Sequence, residues 1–113
     1  MSVSNDVRWQ LIGLARSRRS RTSLFSPTRP THWAPLEVRR PDTGEAFTPD
    51  GVWVFIVELL EGGCELDQIV LEQPPGKKAY VILANGWDDE KIYIKLQLGS
   101  GQVIGRSFHL SVR

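Results

Sequence analysis

The strongest hydrophobic pattern along the chain lies between residues 51 and 61. Apolar side chains recur there at intervals of three and four residues: Val52, Trp53, Phe55, Ile56, Leu59 and Leu60. This spacing is typical of one face of an α-helix. Thr48 suits the N-cap, Pro49 suits the first turn and Asp50 complements the helix dipole, while Gly62-Gly63 is a stop signal. The pattern predicts a core helix over 51–61 that packs on a flat partner.

The second half of the chain alternates polar and apolar residues. Residues 78–84 and 92–98 alternate and are rich in β-formers, and 102–112 is a third such run. Turn residues separate these runs at Gly76, Asn85-Gly86 and 99–101. Residues 69–71 fit either a short strand or the end of a helical turn. Together the runs predict an α+β domain in which an antiparallel sheet of three to five strands packs on one main helix.

The first thirty residues predict a basic N-terminal arm. Residues 7–15 fit one short helix with an apolar side, but the segment from Ala15 to Pro35 is rich in serine, arginine and proline and poor in periodic apolar residues. We expect an arm over 1–30 that is ordered only if it docks on its own domain, a second copy or a partner. Residues 31–113 then form a single α+β domain.

Composition and charge narrow the class of protein. The 113 residues suit one globular core, and the only cysteine, Cys64, excludes an internal disulfide, a Cys-based zinc site and an iron–sulfur cluster. No signal peptide or membrane span is legible, so we expect a cytoplasmic protein with no membrane partner. The net charge of +1 divides into +6 for residues 1–40, −8 for 41–76 and +3 for 77–113. Basic blocks are typical of solvated surfaces and also of nucleic-acid binders.

Candidate chemistry lies in the last two strands. Alternation directs Tyr93 and Lys95 away from the aliphatic side, and a three-residue loop at 99–101 predicts that Lys95 faces Gly105, Tyr93 faces Ser107 and Lys91 faces His109. This register gathers Tyr93, Lys95, Ser107 and His109 on one face. Arg106 falls on the apolar side unless Gly105 marks a β-bulge or Arg106 reaches out at the sheet edge.

Such a face can supply a general acid, a general base and cations for a phosphate, which is what RNA cleavage by the 2′-hydroxyl requires without a metal. As catalytic residues we assign His109, Tyr93 and Lys78. As residues that bind RNA or phosphate we assign Lys77, Lys95, Arg106, Arg18, Arg19 and Arg21. The alternative to a catalytic face is an ordinary antiparallel sheet with one solvated face. The alternative to an RNA-binding arm is a flexible, solvated one.

Other candidate sites are weaker. His32 and His109 lack metal-ligand spacing, and no glycine pattern fits a nucleotide-binding fingerprint, so no metal and no cofactor are expected. Asp88-Asp89-Glu90 fits a hairpin tip better than a cation site. Cys64 has no base near it in sequence and fits a small buried residue better than a nucleophile.

Residues 91–96, Lys-Ile-Tyr-Ile-Lys-Leu, and 103–109, Val-Ile-Gly-Arg-Ser-Phe-His, resemble the C-terminal half of the MqsR-like toxins. These belong to the RelE-like group of bacterial toxin–antitoxin mRNA interferases. The likeness covers about residues 47–112. It implies a RelE-like fold, a metal-independent endoribonuclease that cleaves mRNA, and a cognate antitoxin protein as partner. By position, Tyr93 matches the family's functional tyrosine, His109 stands where the family has a lysine, and Lys77 or Lys78 lies near a functional glutamine.

Two other functions fit the same residues. One is a non-catalytic RNA-binding module or protein adaptor that uses the basic arm and the polar sheet face. The other is a regulatory protein whose acidic middle block contacts a basic partner. The sequence leaves open whether the chain forms a homodimer.

Overall fold

In the computed structural model, which describes residues 4–27, 30–72 and 74–111, helix α2 runs over Gly51–Glu61 as predicted. The Thr48 hydroxyl accepts a hydrogen bond from the Gly51 backbone N–H at 2.9 Å, which satisfies one orphan donor of the first turn. At the other end Gly63 has φ +83°, and the Cys64 N–H donates to the Leu59 carbonyl at 3.1 Å. This left-handed glycine ends the helix.

The strands of the second half also form where the alternation predicts them. Their bounds are β3 Asp67–Val70, β4 Lys78–Asn85, β5 Lys91–Leu98 and β6 Val103–Leu110, and they pair antiparallel in that order. The undecided residues 69–71 thus fall mostly within β3. The α+β class is confirmed.

The sheet is larger than expected, and it is mixed rather than antiparallel. Two further strands, β1 Arg21–Thr22 and β2 His32–Trp33, both pair parallel with β6 and bring the sheet to six strands. The expectation of three to five antiparallel strands is wrong because a two-residue strand is too short to show alternation. Short 3₁₀ turns lie at Arg18–Ser20, Pro35–Glu37 and Trp87–Asp89.

Helix α1 at Asn5–Ala15 includes the short helix predicted over residues 7–15, so the core contains two helices where one main helix was expected. Leu11, Ile12 and Ala15 are buried in the same core as α2 and the sheet. The Arg8 guanidinium donates to the carbonyls of Leu60 at 3.0 Å and Cys64 at 2.6 Å, which ties α1 to the end of α2. The N-terminal segment was expected to become ordered by docking on its own domain, a second copy or a partner. Residues 5–22 dock on their own domain.

The core fills the space between the two helices and one face of the sheet. The sheet contributes Tyr80, Ile82, Ala84, Ile92, Ile94, Leu96, Val103 and Phe108 to it. Trp33 joins this side, with its ring 5.1 Å from that of Trp53 and 5.6 Å from that of Phe108. Within the described residues, no helix has the length and apolar run needed to cross a bilayer. Both helices of the described residues lie on the core side, so we call the opposite face of the sheet the helix-free face.

Candidate functional site on the helix-free face

A β-bulge in β6 determines which side chains reach the helix-free face. Leu96 pairs with Gly105, but Lys95 pairs with Ser107, so Arg106 is the extra residue between them. The bulge considered for Gly105 is therefore confirmed, and it turns Arg106 away from the apolar side. The Arg106 Nε donates to the Pro30 carbonyl at 2.9 Å and Nη1 donates to the Gln97 amide oxygen at 2.8 Å.

The bulge also corrects the predicted pairing. Tyr93 faces His109 rather than Ser107, and Lys95 faces Ser107 rather than Gly105. The specific partners were wrong because the hairpin starts one residue later than assumed, with Leu98 opposite Val103, and then gains one residue at Arg106. The prediction that Tyr93, Lys95, Ser107 and His109 share one face is confirmed. Its polar side chains are His32, Tyr93, Lys95, Gln97, Arg106, Ser107 and His109.

Three aromatic rings from three strands stack in a row on this face. The His109 ring lies 4.1 Å from the His32 ring and 5.3 Å from the Tyr93 ring, and both pairs are inclined by 23°. Tyr93 is on β5, His109 on β6 and His32 on β2, so the row crosses the sheet from strand to strand. Because neighbouring rings flank His109, the row offers a stacking surface for an unpaired base at its two ends, His32 and Tyr93.

His109 has one ring nitrogen committed to the backbone. Its Nδ1 lies 2.9 Å from the Leu110 carbonyl oxygen, and a carbonyl only accepts hydrogen bonds, so Nδ1 carries the proton. In the neutral ring Nε2 is then the basic nitrogen. Nε2 is therefore the nitrogen through which neutral His109 can take a proton.

Lys95 lies two residues along β5 from Tyr93. Desolvation by its surroundings lowers the pKa of Lys95 below its ordinary value, and the positive charge of Arg106 lowers it further. Lys95 and Arg106 share the wall of an open groove of about 580 Å³ with Pro30, Ile69 and Leu71. The carboxylate of Glu72 lines the same groove, so the two cations leave a net charge of one positive unit there, which favours an anion.

Lys77 and Lys78 lie away from this cluster. Ala79 pairs with Gln97 and belongs to the helix-free face, so Lys78, one residue earlier, leaves the sheet on the helix side. Lys77 is exposed in the turn before β4, where its carbonyl accepts from the Leu71 N–H at 2.7 Å. The structure does not bring Lys78 together with His109 and Tyr93 as the catalytic assignment expected.

The N-terminal arginines form a separate group on the helix side. Arg18 forms an ion pair with Asp50, and Arg21 donates to the same carboxylate at 3.0 Å and to the Ala15 carbonyl at 2.8 Å. The guanidinium of Arg21 also lies 5.7 Å from the centroid of the Trp53 ring. Arg19 is exposed. These contacts hold the chain before β1 against α2, so Arg18 and Arg21 have structural partners already.

No family model matches the chain, and no curated protein or solved structure matches it either. The resemblance to the MqsR-like toxins stays a prediction from the motif residues. Function is therefore argued from the geometry of the helix-free face.

The other sequence candidates do not add to this face. Asp88 and Asp89 lie in the turn between β4 and β5 with φ 52° and 66°, and the neighbouring Glu90 forms an ion pair with Arg39 at 3.3 Å. Burial raises the pKa of the Cys64 thiol, while Arg8 partly offsets that rise, so the thiol stays protonated. Within the ranges the structure describes, no group of three or more His, Cys, Asp or Glu side chains is placed to hold a metal ion.

His32 is the residue of this face that sequence reasoning missed. Spacing gave no reason to place it near His109, which is 77 positions away. Its strand is two residues long, which leaves no alternation to interpret. The available signal was Trp33: a tryptophan that anchors in the core directs its neighbour in an extended segment to the other face.

Proposed function

We propose that the protein is an endoribonuclease that binds single-stranded RNA on the helix-free face and cleaves it through attack of the 2′-hydroxyl on the adjacent phosphate. The observation that carries the proposal is the position of His109, Tyr93 and Lys95 on one face of the sheet, where each is half-buried. A base, an aromatic surface and a cation are the groups that this reaction needs.

Each group has a task that follows from its chemistry. His109 Nε2 takes the proton of the 2′-hydroxyl, since Nδ1 is held by the Leu110 carbonyl. Lys95, with Arg106 beside it, stabilises the negative charge that grows on the phosphate in the transition state. Tyr93 stacks beside His109 and keeps the imidazole plane in place. The roles first assigned to Lys77, Lys78 and the N-terminal arginines are not part of this site.

The resemblance of residues 91–96 and 103–109 to the MqsR-like toxins supports the same activity. It extends the proposal to a bacterial toxin of a toxin–antitoxin system with a RelE-like fold, mRNA as the substrate and a protein antitoxin as the partner. Growth arrest on expression, relieved by a protein encoded beside it, is the expected cellular result.

The direct test is incubation of the purified protein with end-labelled single-stranded RNA, with and without a chelator. We expect fragments that end in a 2′,3′-cyclic phosphate in both conditions. His109→Gln should reduce the rate by about 10²–10⁴-fold while its thermal unfolding stays close to that of the wild type.

Three outcomes contradict the proposal. Cleavage abolished by the chelator indicates a metal-dependent nuclease instead. RNA that is bound but stays intact indicates the non-catalytic RNA-binding module. Cleavage that is equal in the wild type and in His109→Gln indicates a contaminating ribonuclease.

A further inference from the structure

We propose that the outer edge of strand β3 is a docking site for an extended, basic segment of a partner protein, which adds to the sheet as a further strand. β3 is the last strand of the sheet and, among the residues that the structure describes, it pairs only with β4. The other end of the sheet is covered, because β1 and β2 both pair with the outer edge of β6. The proposal concerns protein binding and goes beyond the RNA-binding face.

The register of β3 determines which of its backbone groups point outward. The Leu71 N–H donates to the Lys77 carbonyl at 2.7 Å, and along an antiparallel strand every second residue bonds to the same neighbour. The residues two and four positions before Leu71 therefore also bond to β4, whereas the N–H and C=O groups of Gln68 and Val70 point away from it. Within the described part of the chain, neither Gln68 nor Val70 makes a backbone hydrogen bond outside the β3–β4 ladder. An added strand can bond to both residues.

The edge lacks the features that commonly protect an edge strand from pairing. Lysine, proline and β-bulges serve this purpose in many sheets. Residues 65–72, Glu-Leu-Asp-Gln-Ile-Val-Leu-Glu, contain neither lysine nor proline, and β3 pairs with β4 without a register shift. Val70 is apolar and 66% exposed. A residue opposite Val70 in an added strand would cover this side chain.

Charge determines which partner fits the edge. Glu65, Asp67 and Glu72 are exposed, and none of them forms an ion pair among the described residues. Lys77 and Lys78 lie in the turn before β4 and on β4 itself, one strand behind the edge. Carboxylates along the edge repel the phosphates of RNA, and a second copy of the chain would bring the same carboxylates to the seam. A basic strand instead gains pairs of opposite charge.

The pairing geometry specifies the sequence pattern of the partner. In an antiparallel addition, the residues opposite Gln68 and Val70 form the hydrogen-bonded pairs, and apolar Val70 favours a β-branched residue there. The residue opposite Asp67 lies on the other face in a non-hydrogen-bonded pair, where side chains approach most closely. Lysine or arginine fits that position. The partner segment therefore alternates basic and β-branched residues.

The first experiment measures amide hydrogen exchange by NMR with a short synthetic peptide of alternating lysine and valine as the probe. In the protein alone, the amides of Gln68 and Val70 should exchange about 10-fold or more faster than those of Ile69 and Leu71, which bond to β4. Saturating peptide should slow exchange at Gln68 and Val70 by about 10-fold or more. Equal exchange of all four amides in the protein alone, or no protection by the peptide, overturns the proposal.

Two N-methylated peptides separate strand addition from attraction between charges. Methyl groups on the valine amides remove the donors that face the carbonyls of Gln68 and Val70, so this peptide should protect neither amide. Methyl groups on the lysine amides point away from β3 and should leave the protection in place. Both peptides carry the same charge. If the two peptides bind equally, charge alone attracts them and strand addition is wrong.

A charge reversal tests the choice of a basic partner. Asp67→Lys should weaken binding of the lysine–valine peptide by about 5-fold or more, and a peptide with glutamate in place of lysine should bind this variant more tightly than it binds the wild type. Glu58→Lys reverses an exposed acid on α2 and is the matched control. It should change the affinity by less than about 2-fold. Equal losses in the two variants overturn the assignment of the edge.

A proline on the edge tests the outward hydrogen bonds in the protein itself. Val70→Pro removes an N–H that β4 does not use, so its thermal unfolding should stay close to that of the wild type while the peptide no longer protects Gln68. Sedimentation of the wild type tests the other occupant. A dimer that Val70→Pro abolishes, with no protection by the peptide, would assign the edge to a second copy and overturn the proposal. None of these results depends on whether the protein cleaves RNA.

Discussion

At the scale of single residues, Lys95 carries a charge in a place that is unfavourable for the stability of the folded protein. Its ammonium group is partly desolvated and lies near Arg106, and both effects lower its pKa. The folded protein thus holds a charge that would be better solvated in the unfolded chain. A cation kept in such a place is better explained by an anionic ligand than by stability.

We expect Lys95→Met to unfold at the same or a higher urea concentration than the wild type at neutral pH, because the substitution removes the desolvated charge. The folded state binds the Lys95 proton less tightly than the unfolded state. The unfolding free energy of the wild type should therefore rise relative to that of Lys95→Met as the pH increases from the lowered pKa of Lys95 to the ordinary lysine pKa. Urea unfolding of both proteins over this range measures the effect.

The same variant should lose affinity for single-stranded RNA. The slope of log affinity against log salt should fall by about 0.7, the change expected for one phosphate contact. Lys77→Met removes the same charge from the exposed turn before β4 and is the matched control. Equal losses in the two variants would mean that charge alone, rather than the helix-free face, binds RNA.

At the scale of elements, the helices and strands that the sequence predicts correctly are those with a long apolar pattern. Helix α2 and strands β4 to β6 each span eight residues or more, so their apolar periodicity repeats often enough to be recognised. The sequence left two explanations for Arg106, a β-bulge at Gly105 or a side chain that reaches out at the sheet edge. It could not decide between them, because an inserted residue leaves no periodic pattern. The parallel strands β1 and β2 depend on partners 75 or more positions away, so local patterns could not reveal them.

A substitution in helix α1 tests whether the N-terminal segment is part of the core. Leu11 is fully buried between α1 and the rest of the core, so Leu11→Ala should cost about 2–5 kcal/mol of unfolding free energy. Gly13→Ala is the matched control: its added methyl meets nothing within 4 Å, and it should stabilise the protein by about 0.5–1 kcal/mol. Urea denaturation measures both. A cost below 0.5 kcal/mol for Leu11→Ala would show that α1 is not docked.

Strand β2 depends on the close approach of Trp33 to Gly105. A Cβ added at Gly105 would lie 2.4 Å from the Trp33 ring. Gly105→Ala should therefore destabilise the protein by about 1–3 kcal/mol and move His32 away from His109. Urea denaturation measures the first effect, and nuclear Overhauser contacts between the ring protons of the two histidines measure the second. Unchanged stability together with unchanged contacts between the two histidine rings would contradict this role for β2.

At the scale of the whole molecule, the alternating charge blocks have a structural explanation. The basic N-terminal block folds against the acidic middle block through ion pairs of Arg16 with Glu61 and of Arg18 and Arg21 with Asp50. The charge segregation seen in the sequence thus places opposite charges next to each other within the fold. The helix-free face keeps its own cations, Lys95 and Arg106, on the opposite side of the sheet.

The central claim is that RNA lies on the helix-free face rather than along the N-terminal arginines. An amide and side-chain NMR titration with a short 2′-O-methyl oligoribonucleotide, which cannot be cleaved through its 2′-oxygen, tests this directly. We expect the largest shifts at Tyr93, Lys95, Ser107 and His109, with Arg18→Gln combined with Arg19→Gln leaving them in place. Shifts confined to residues 16–22, or shifts lost in that double variant, would contradict the claim.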